Sequence, residues 1–329
     1  MTYLIATHSQ LFALTFDENW RILDARPLAT GHHYGIGFLR NDQYDAVLVK
    51  QDDRKVRVLD RQTLEEVADP IPFLGETGAI HQISCVNDGI YFTNTDFNNI
   101  VYQTLDGSTY HSYHFEGKSF DHNHINSVFP CGNQIYALLH NKGRTLTELA
   151  VLDHDPSAGF TFRHSISIWD HGCHNVFLEK NRLYYNGSST GQFVVADLET
   201  QEVITRLSYP GHTKGISVVD NQIVIGFSEH AERGARDKTR GYLAVINQDT
   251  LKEIDIIDLD DIDLPLPVGN INEIRCISGG ERSHAAEQPL SIDWTRIRLA
   301  RRNPAEFFMK HVSLYAARSL KKLTGNKKL

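Results

Sequence analysis

Short apolar segments separated by polar turns recur along the chain as far as Ser278. In Gly89–Thr104, GIYFTNTDFNNIVYQT, two apolar segments flank a polar loop. Segments that are rich in β-branched and aromatic residues and bounded by Gly, Asn or Asp are typical of β-strands joined by turns. The pattern therefore predicts an all-β protein built from many short strands.

The predicted strands fall into groups that begin with a similar short motif. The motif opens with a histidine, lysine, arginine or tyrosine and continues into a short apolar strand, as in His81-Gln-Ile-Ser. The first residues of the six motifs, which are 47, 43, 50, 40 and 61 residues apart, are Tyr34, His81, His124, His174, Lys214 and Arg275. A repeat of roughly 40 to 50 residues that holds four strands is typical of a β-propeller blade. The spacing therefore predicts a six-bladed β-propeller.

The sixth repeat, which opens at Arg275, lacks the strands that should follow it. Three strand-like segments near the N-terminus have no opening motif of their own, namely YLIATH (Tyr3–His8), LFALTF (Leu11–Phe16) and RILDAR (Arg21–Arg26). Because a propeller removes its free sheet edges by closing the ring, we expect these segments to complete the last blade. Residues 1–289 are thus predicted to form one closed propeller.

Residues 290–329 follow a different pattern and form a basic tail. Apolar residues at three- and four-residue spacing predict an amphipathic helix over Asn303–Asn326, with Asn303 as its N-cap. The tail carries a net charge of +8 and the rest of the chain −16, which argues against nucleic acid as the main partner. The helix either docks on the rim of the propeller or uses 303–329 for a peripheral membrane or protein contact.

Other features of the sequence indicate a cytoplasmic protein. The four cysteines lack CxxC spacing and are expected to stay reduced. The N-terminal segment has neither the basic nor the apolar region of a signal peptide, and no apolar stretch has the length of a membrane span. We therefore expect a cytoplasmic location, with attachment to a membrane surface through the tail as the alternative.

Several of the repeated motifs resemble those of a bacterial family of six-bladed propellers, a conserved-hypothetical family in which some members carry tetratricopeptide repeats. The similar segments are HQISCVNDGIYFTNTDF, HINSVF, HNVFLEKNRLYYNGSSTG and YPGHTKGISVVDNQIVIGFSE. The residues that match the family's succession of motifs are His81, Asn94, Thr95, His124, Asn126, His174, Ser188, Thr190, Gly191, Gly211, Lys214, Gly215 and Ser228. The resemblance implies a propeller with an axial site, and it implies no particular reaction.

The six motif-start residues are predicted to meet at one mouth of the central channel, because the first strand of each blade lines that channel. Of the 17 histidines, seven lie at a motif start or within two residues before it: His32, His33, His81, His122, His124, His174 and His212. The ring of motif-start residues is therefore the candidate functional site.

Three interpretations of this ring stay open. In the first, His81, His124 and His174 bind a divalent metal, zinc or iron, and act as catalytic residues. Lys214 and Arg275 oppose a cation there, although Glu273 or an anionic substrate could compensate. In the second, the histidines, Lys214 and Arg275 bind an anion without a metal, and the imidazoles act as acid and base. In the third, the ring only binds channel water.

Secondary candidates for ligand binding lie where the second strand of a blade ends. They include Asn94 and Ser188, beside the axial candidates Tyr34 and Glu273. The charged stretch Ser228–Gly241 is either a lid over the mouth or a loop without a role. The sequence holds no common hydrolase, nucleotide-binding or zincin motif. We therefore expect a protein that binds a small polar, anionic ligand, either as a lyase, hydrolase or isomerase or as a non-catalytic ligand-binding or protein-interaction propeller.

Overall fold

The computed structural model describes residues 1–41, 45–87, 89–116, 120–168, 170–200 and 202–286, together with Gln288, Leu290 and Ile292. The predicted helix at Asn303–Asn326 and the rest of the basic tail lie outside the described residues. None of the helices within the described ranges is long and apolar enough to span a membrane.

The strands alternate with turns along the whole described chain. The first three are β1 (Thr2–Thr7), β2 (Gln10–Phe16) and β3 (Ile22–Thr30). Blade 1 consists of β4 (Ile36–Arg40), β5 (Asp45–Lys50), β6 (Lys55–Asp60) and β7 (Glu66–Pro72). Blade 2 consists of β8 (Ile83–Val86), β9 (Gly89–Asn94), β10 (Asn99–Thr104) and β11 (Tyr110–His114). Blade 3 consists of β12 (Ile125–Cys131), β13 (Gln134–Leu139), β14 (Glu148–Asp155) and β15 (Gly159–Ser167).

The remaining strands complete the ring. Blade 4 consists of β16 (His174–Glu179), β17 (Arg182–Gly187), β18 (Gln192–Asp197) and β19 (Val203–Ser208). Blade 5 consists of β20 (His212–Val219), β21 (Gln222–Ser228), β22 (Gly241–Asn247) and β23 (Glu253–Asp258). The last described strand is β24 (Ile271–Cys276), and each innermost strand contacts the innermost strand of the next blade.

Blade 6 is assembled from both ends of the described chain. Its four strands lie in the order β24-β1-β2-β3. β24 pairs antiparallel with β1, with Arg275 opposite Leu4 and Cys276 opposite Tyr3. The predicted six-bladed propeller and its closure by N-terminal strands are therefore confirmed.

The hydrophobic core lies in the layers between neighbouring blades. The layer between blades 5 and 6, for example, contains Tyr3 and Phe12 from the N-terminal strands and Val245 from β22, each of them fully buried. Alternate residues of a strand point to opposite faces of the sheet, so each blade packs against two neighbours. The four cysteines are free and buried within these layers.

After β24 the chain crosses one end of the central channel. This crossing segment, residues 279–286, bonds to the innermost strands of three other blades. The Val218 amide of blade 5 donates to the Glu281 carboxylate over 3.1 Å, and the Ser84 hydroxyl of blade 2 donates to the His284 carbonyl. The Ala286 amide donates to the Pro130 carbonyl of blade 3 over 2.9 Å. The crossing segment therefore lies across that end of the channel and links three blades there.

Candidate functional site

Aromatic rings line the opposite end of the channel in a nearly continuous series. Tyr34 stacks on His81 with ring centroids 4.9 Å apart, and His81 contacts His124 at 5.0 Å. His140 then bridges His124 and His174, at 5.0 Å from each. The structure thus brings together four of the six predicted ring residues by direct ring contacts, and it adds His140.

Two further histidines extend the series toward blade 6. His8 and His32 contact each other at 4.0 Å, and His32 contacts Tyr34 at 4.6 Å. We call the whole set the histidine mouth: His8, His32, Tyr34, His81, His124, His140 and His174.

Lys214 supplies the cationic centre of this mouth. Its ammonium group lies 5.9 Å from the centroid of the Tyr34 ring, two blades away. The Lys214 charge also contributes to lowering the pKa of histidines in five blades and in the connection to blade 1, namely His8, His32, His81, His124, His140, His174 and His212. A group that acts on all sides of the ring must lie near its axis, since charge interactions weaken with distance.

A β-bulge next to Lys214 turns the chain at this point. The pairing of β20 with β21 shifts register between Lys214 and Ile216, and Gly215 adopts a φ of +76°. A Cβ atom on residue 215 would lie 2.8 Å from Cγ1 of Ile274, so only glycine fits there. Register shifts at corresponding places in blades 3, 4 and 6 leave Asn126, Asn175 and Asn272 as extra residues.

Lys214 has no anionic partner among the described side chains. It is only 7 % exposed, and within the described ranges its ammonium group makes no ion pair or hydrogen bond. Burial and the nearby Arg236 and Arg233 lower the pKa of Lys214 to about 7. An unpaired buried ammonium group is costly, and the cost falls when an anion binds beside it.

The other two lysines of the mouth, Lys50 and Lys142, have carboxylate partners. Lys50 pairs with Asp53 at 2.7 Å and donates to the Ile80 carbonyl over 2.8 Å. Lys142 pairs with Asp121 at 2.6 Å, and the other oxygen of Asp121 lies 2.8 Å from Nδ1 of His124. Lys214 is therefore distinguished from Lys50 and Lys142 by its lack of a carboxylate.

Below the mouth, a buried polar network fills the channel. The Glu273 carboxylate accepts a hydrogen bond from Gln82 of blade 2 over 2.9 Å and a longer one from Asn175 of blade 4 over 3.5 Å. It also pairs with Arg275 at 2.9 Å. Burial raises the pKa of Glu273, and Arg275 opposes the shift. Because side chains from three alternate blades, 2, 4 and 6, meet at one carboxylate, this network forms the floor of the candidate site.

The structure corrects the predicted place of Arg275. The sequence alignment put Arg275 in the mouth with Lys214, but its guanidinium donates to the Ile216 carbonyl over 2.5 Å and to Ser283 of the crossing segment over 3.3 Å. In the register of the innermost strands, Lys214 lies opposite Gly226, and the corresponding residue of β24 is Ile271, opposite Thr7. Arg275 therefore supports the floor from the closed end of the channel.

Replacing Arg275 by methionine should destabilise the fold strongly. Glu273 and Arg275 are each 1 % exposed, and removing one partner of a buried ion pair costs about 3–5 kcal/mol because the other charge stays buried. Chemical denaturation of R275M against wild type measures this loss of unfolding free energy.

The double variant E273Q/R275M is the matched control for this prediction, since it removes both charges. It should recover most of the lost stability. An R275M protein as stable as wild type would mean that Arg275 contributes no net stability to the floor.

The predicted metal site is not supported by the geometry. No three His, Cys, Asp or Glu side chains in the described part of the chain are grouped so that they could hold a metal ion. The Nδ1 atom of His124 is engaged by Asp121, and Nδ1 of His174 lies 3.1 Å from the side-chain nitrogen of Asn126. Contacts at Nδ1 still allow ligation through Nε2, but the described residues lack the grouping that the predicted zinc or iron site requires. The chemistry proposed for the mouth therefore uses no metal.

Asn94 and Ser188 hold the backbone in this structure. The Asn94 side chain accepts from the Gly78 amide and donates to the Glu76 carbonyl, both over 2.8 Å. The Ser188 hydroxyl donates to the Thr213 carbonyl of the next blade. Both residues are buried, and their side chains join loops and blades.

Residues of the predicted lid lie close to the mouth. Arg233–Lys238 forms a 3-10 helix, and the amide of Asn270 in blade 6 donates to the Arg236 carbonyl over 2.7 Å. Arg233 and Arg236 act on the pKa of Lys214 from this helix. The loop therefore adds positive charge to the rim of the mouth.

Comparisons with known proteins support the fold and define no family. No protein-family model matches the chain, and no curated protein matches its sequence. A chain of the crystal structure of the nidogen–laminin complex is 11% identical over 84% of this chain and 98% of that one, with a TM-score of 0.58. A protein of unknown function from Bacteroides caccae is 12% identical over 83% of this chain and 97% of that one, with a TM-score of 0.57.

The WD40 β-propeller domain of Doa1 is also similar, at 12% identity over 79% of this chain and 78% of that one, with a TM-score of 0.52. Likeness at this level of identity shows a common fold only. The chain is thus a six-bladed β-propeller with WD40-like structural neighbours, and membership of the bacterial family suggested by its motifs stays a prediction.

Proposed function

We propose that the histidine mouth binds a small anionic ligand, a carboxylate or a phosphate, through Lys214. The observation that carries the proposal is a buried ammonium group on the channel axis without a carboxylate partner among the described residues. An anion placed there would gain a charge-assisted hydrogen bond and would relieve the cost of burying the ammonium group.

The surrounding side chains suit a polar anion. The neutral imidazoles of the mouth can each donate one hydrogen bond and accept one, and Arg233 and Arg236 add attraction from the rim. The floor below the mouth is already occupied by the paired Glu273 and Arg275. A ligand would therefore lie between the imidazole rings and the floor, with its charged end at Lys214.

Phosphate binding tests this proposal by titration calorimetry. The pH dependence is measured with sulfate, because phosphate itself loses a proton in this interval. Sulfate binding should be about tenfold tighter near pH 6 than near pH 8, because a lysine with a pKa of about 7 changes from mostly charged to mostly neutral in that interval. The charged and titratable groups that face or influence Lys214 are Tyr34, Lys50, His8, His32, His81, His124, His140, His174, His212, Arg233 and Arg236. Protonation of these histidines at lower pH acts in the same direction.

Two variants make the calorimetric result specific. K214M should weaken phosphate binding by more than about tenfold, whereas K252M, which removes an equal charge from an exposed turn, should change it less than about twofold. Equal binding by wild type and K214M would exclude the axial site.

A protein-interaction propeller is the second candidate function. Propellers commonly serve as binding modules, and a similar propeller chain occurs in the structure of the nidogen–laminin complex. The comparison supports this candidate through the fold alone, because the identity is 11%. If the folded wild-type protein binds no phosphate at any pH, this candidate is favoured.

A further inference from the structure

Lys214 combines three properties that a nucleophilic lysine needs. It is buried, it lacks a carboxylate partner among the described residues, and Arg233 and Arg236 add positive charge nearby. Burial and neighbouring cations both favour the neutral amine, which carries the reactive lone pair. An anion-binding lysine at the protein surface would need none of these properties.

A carboxylate–imidazole pair lies in the same mouth. Because an ionised carboxylate only accepts hydrogen bonds, the 2.8 Å contact with Asp121 places the proton of His124 on Nδ1. Its Nε2 then carries a lone pair. Lys142 holds Asp121 through the other oxygen, so the orientation of His124 is fixed by the Lys142–Asp121 pair. His124 can therefore accept and return a proton through Nε2.

We propose that Lys214 forms an imine with a small carbonyl compound that carries a carboxylate or phosphate, and that His124 transfers protons in this reaction. The proposal rests on the proposed function, because the same mouth must hold the anionic group of the substrate. It assigns His124 and Lys214 as catalytic residues and Asp121 as a positioning residue.

The chemical step balances with groups that the protein and substrate supply. The Lys214 ammonium group first releases a proton, the lone pair of the resulting amine attacks the carbonyl carbon, and the carbonyl π electrons move to oxygen, which takes up the released proton. His124 accepts a proton from nitrogen and returns one to the departing hydroxyl group, which leaves as water while the carbon–nitrogen double bond forms. The resulting iminium ion withdraws electrons from the adjacent carbon, as isomerase and lyase reactions on carbonyl compounds require.

Reductive trapping with pyruvate tests the proposal. Sodium cyanoborohydride donates hydride to an iminium ion and converts it to a stable secondary amine, so the full-length protein should gain one carboxyethyl group. Peptide mapping by mass spectrometry should place the group on Lys214, at least about tenfold above the labelling of exposed lysines such as Lys55 and Lys252. Acetone, which lacks the carboxylate, should label Lys214 at least about tenfold less than pyruvate does.

Two variants separate the imine from anion binding. K214R removes the amine, so it should lose the adduct whatever its affinity for phosphate. D121N should slow the rate of labelling by about tenfold or more and shift its pH profile, while phosphate binding changes less than about threefold. That combination is not expected of a merely structural role for Asp121.

The possible outcomes distinguish the two proposals. Phosphate binding at Lys214 without an adduct overturns the imine and leaves the anion site standing. Labelling of Lys214 no greater than that of exposed lysines overturns it too, and equal labelling by acetone overturns the requirement for an anionic group. If the wild-type protein neither binds phosphate nor forms the adduct, both proposals are overturned.

Discussion

Deletion of Met1–Phe16 is expected to unfold the whole propeller. The deletion removes β1 and β2, and so leaves β24 and β3 without the strands that lie between them. The lost residues include several that are fully buried, namely Tyr3, Leu4, Ile5, Leu11, Phe12 and Leu14. Truncating one buried leucine or isoleucine to alanine costs about 2–5 kcal/mol, and a whole protein has only about 5–15 kcal/mol of stability. Loss of the two strands therefore exceeds the available stability.

Near-ultraviolet circular dichroism and thermal melting measure the result. The truncated protein should show no cooperative transition. L14A and L23A provide a matched pair within blade 6, since Leu14 is fully buried and Leu23 is 65% exposed. L14A should lower the melting temperature clearly and L23A should leave it nearly unchanged. A truncated protein that melts at the wild-type temperature would contradict the role of closure in stability.

The free energy of unfolding should fall steeply as the pH drops below 6.5. Burial and neighbouring positive groups lower the pKa of His140 to about 3 and hold the pKa values of His81 and His174 well below 6.5. The unfolded chain therefore binds protons that the folded chain excludes, and stability decreases with falling pH. These three histidines alone would lower the free energy of unfolding by about 4 kcal/mol per pH unit.

Urea denaturation at a series of pH values measures this slope. H140Q should reduce the slope by about one proton, or about 1.4 kcal/mol per pH unit. The free energy of unfolding of H140Q minus that of wild type should therefore increase as the pH falls from 8 to 5. A stability that stays flat from pH 7 to about pH 5 would show that the histidines of the mouth are solvated enough to take up protons in the folded state.

The fold was accessible from sequence because its physical basis is repeated. Each blade shows the same alternation of strands and turns, and the missing strands of the sixth repeat matched the unassigned segments at the N-terminus. The positions of His81, His124 and His174 followed from the same repetition. These residues lie where the innermost strands begin, so their proximity depends on topology more than on side-chain detail.

Arg275 shows where the repeat argument failed. The similar residues of Lys214-Gly-Ile-Ser and Arg275-Cys-Ile-Ser suggested that Lys214 and Arg275 occupy corresponding positions in their blades. Strand pairing instead places Ile271, four residues before Arg275, at the position that corresponds to Lys214. A shift along a strand moves a side chain along the channel axis. Arg275 therefore lies on the side of the floor that faces the crossing segment, a difference that only the pairing partners reveal.

Other residues of the site required the structure for different reasons. Lys50 ends β5, as Asn94 ends β9, so the rule that selected second-strand ends could have found it. Asp121, Arg233 and Arg236 come from connecting loops, whose paths do not follow from hydrophobic periodicity. Their contribution becomes visible only through contacts with His124 and their effect on Lys214.

The crossing segment obstructs the far end of the central channel. Because this segment contacts blades 2, 3 and 5 there, a molecule bound at Lys214 would enter and leave through the histidine mouth. Binding and release would then use the same opening, so a second molecule could bind only after the first had left. The width of the histidine mouth, and the position of the arginine-bearing loop beside it, would therefore control how fast a bound molecule is released.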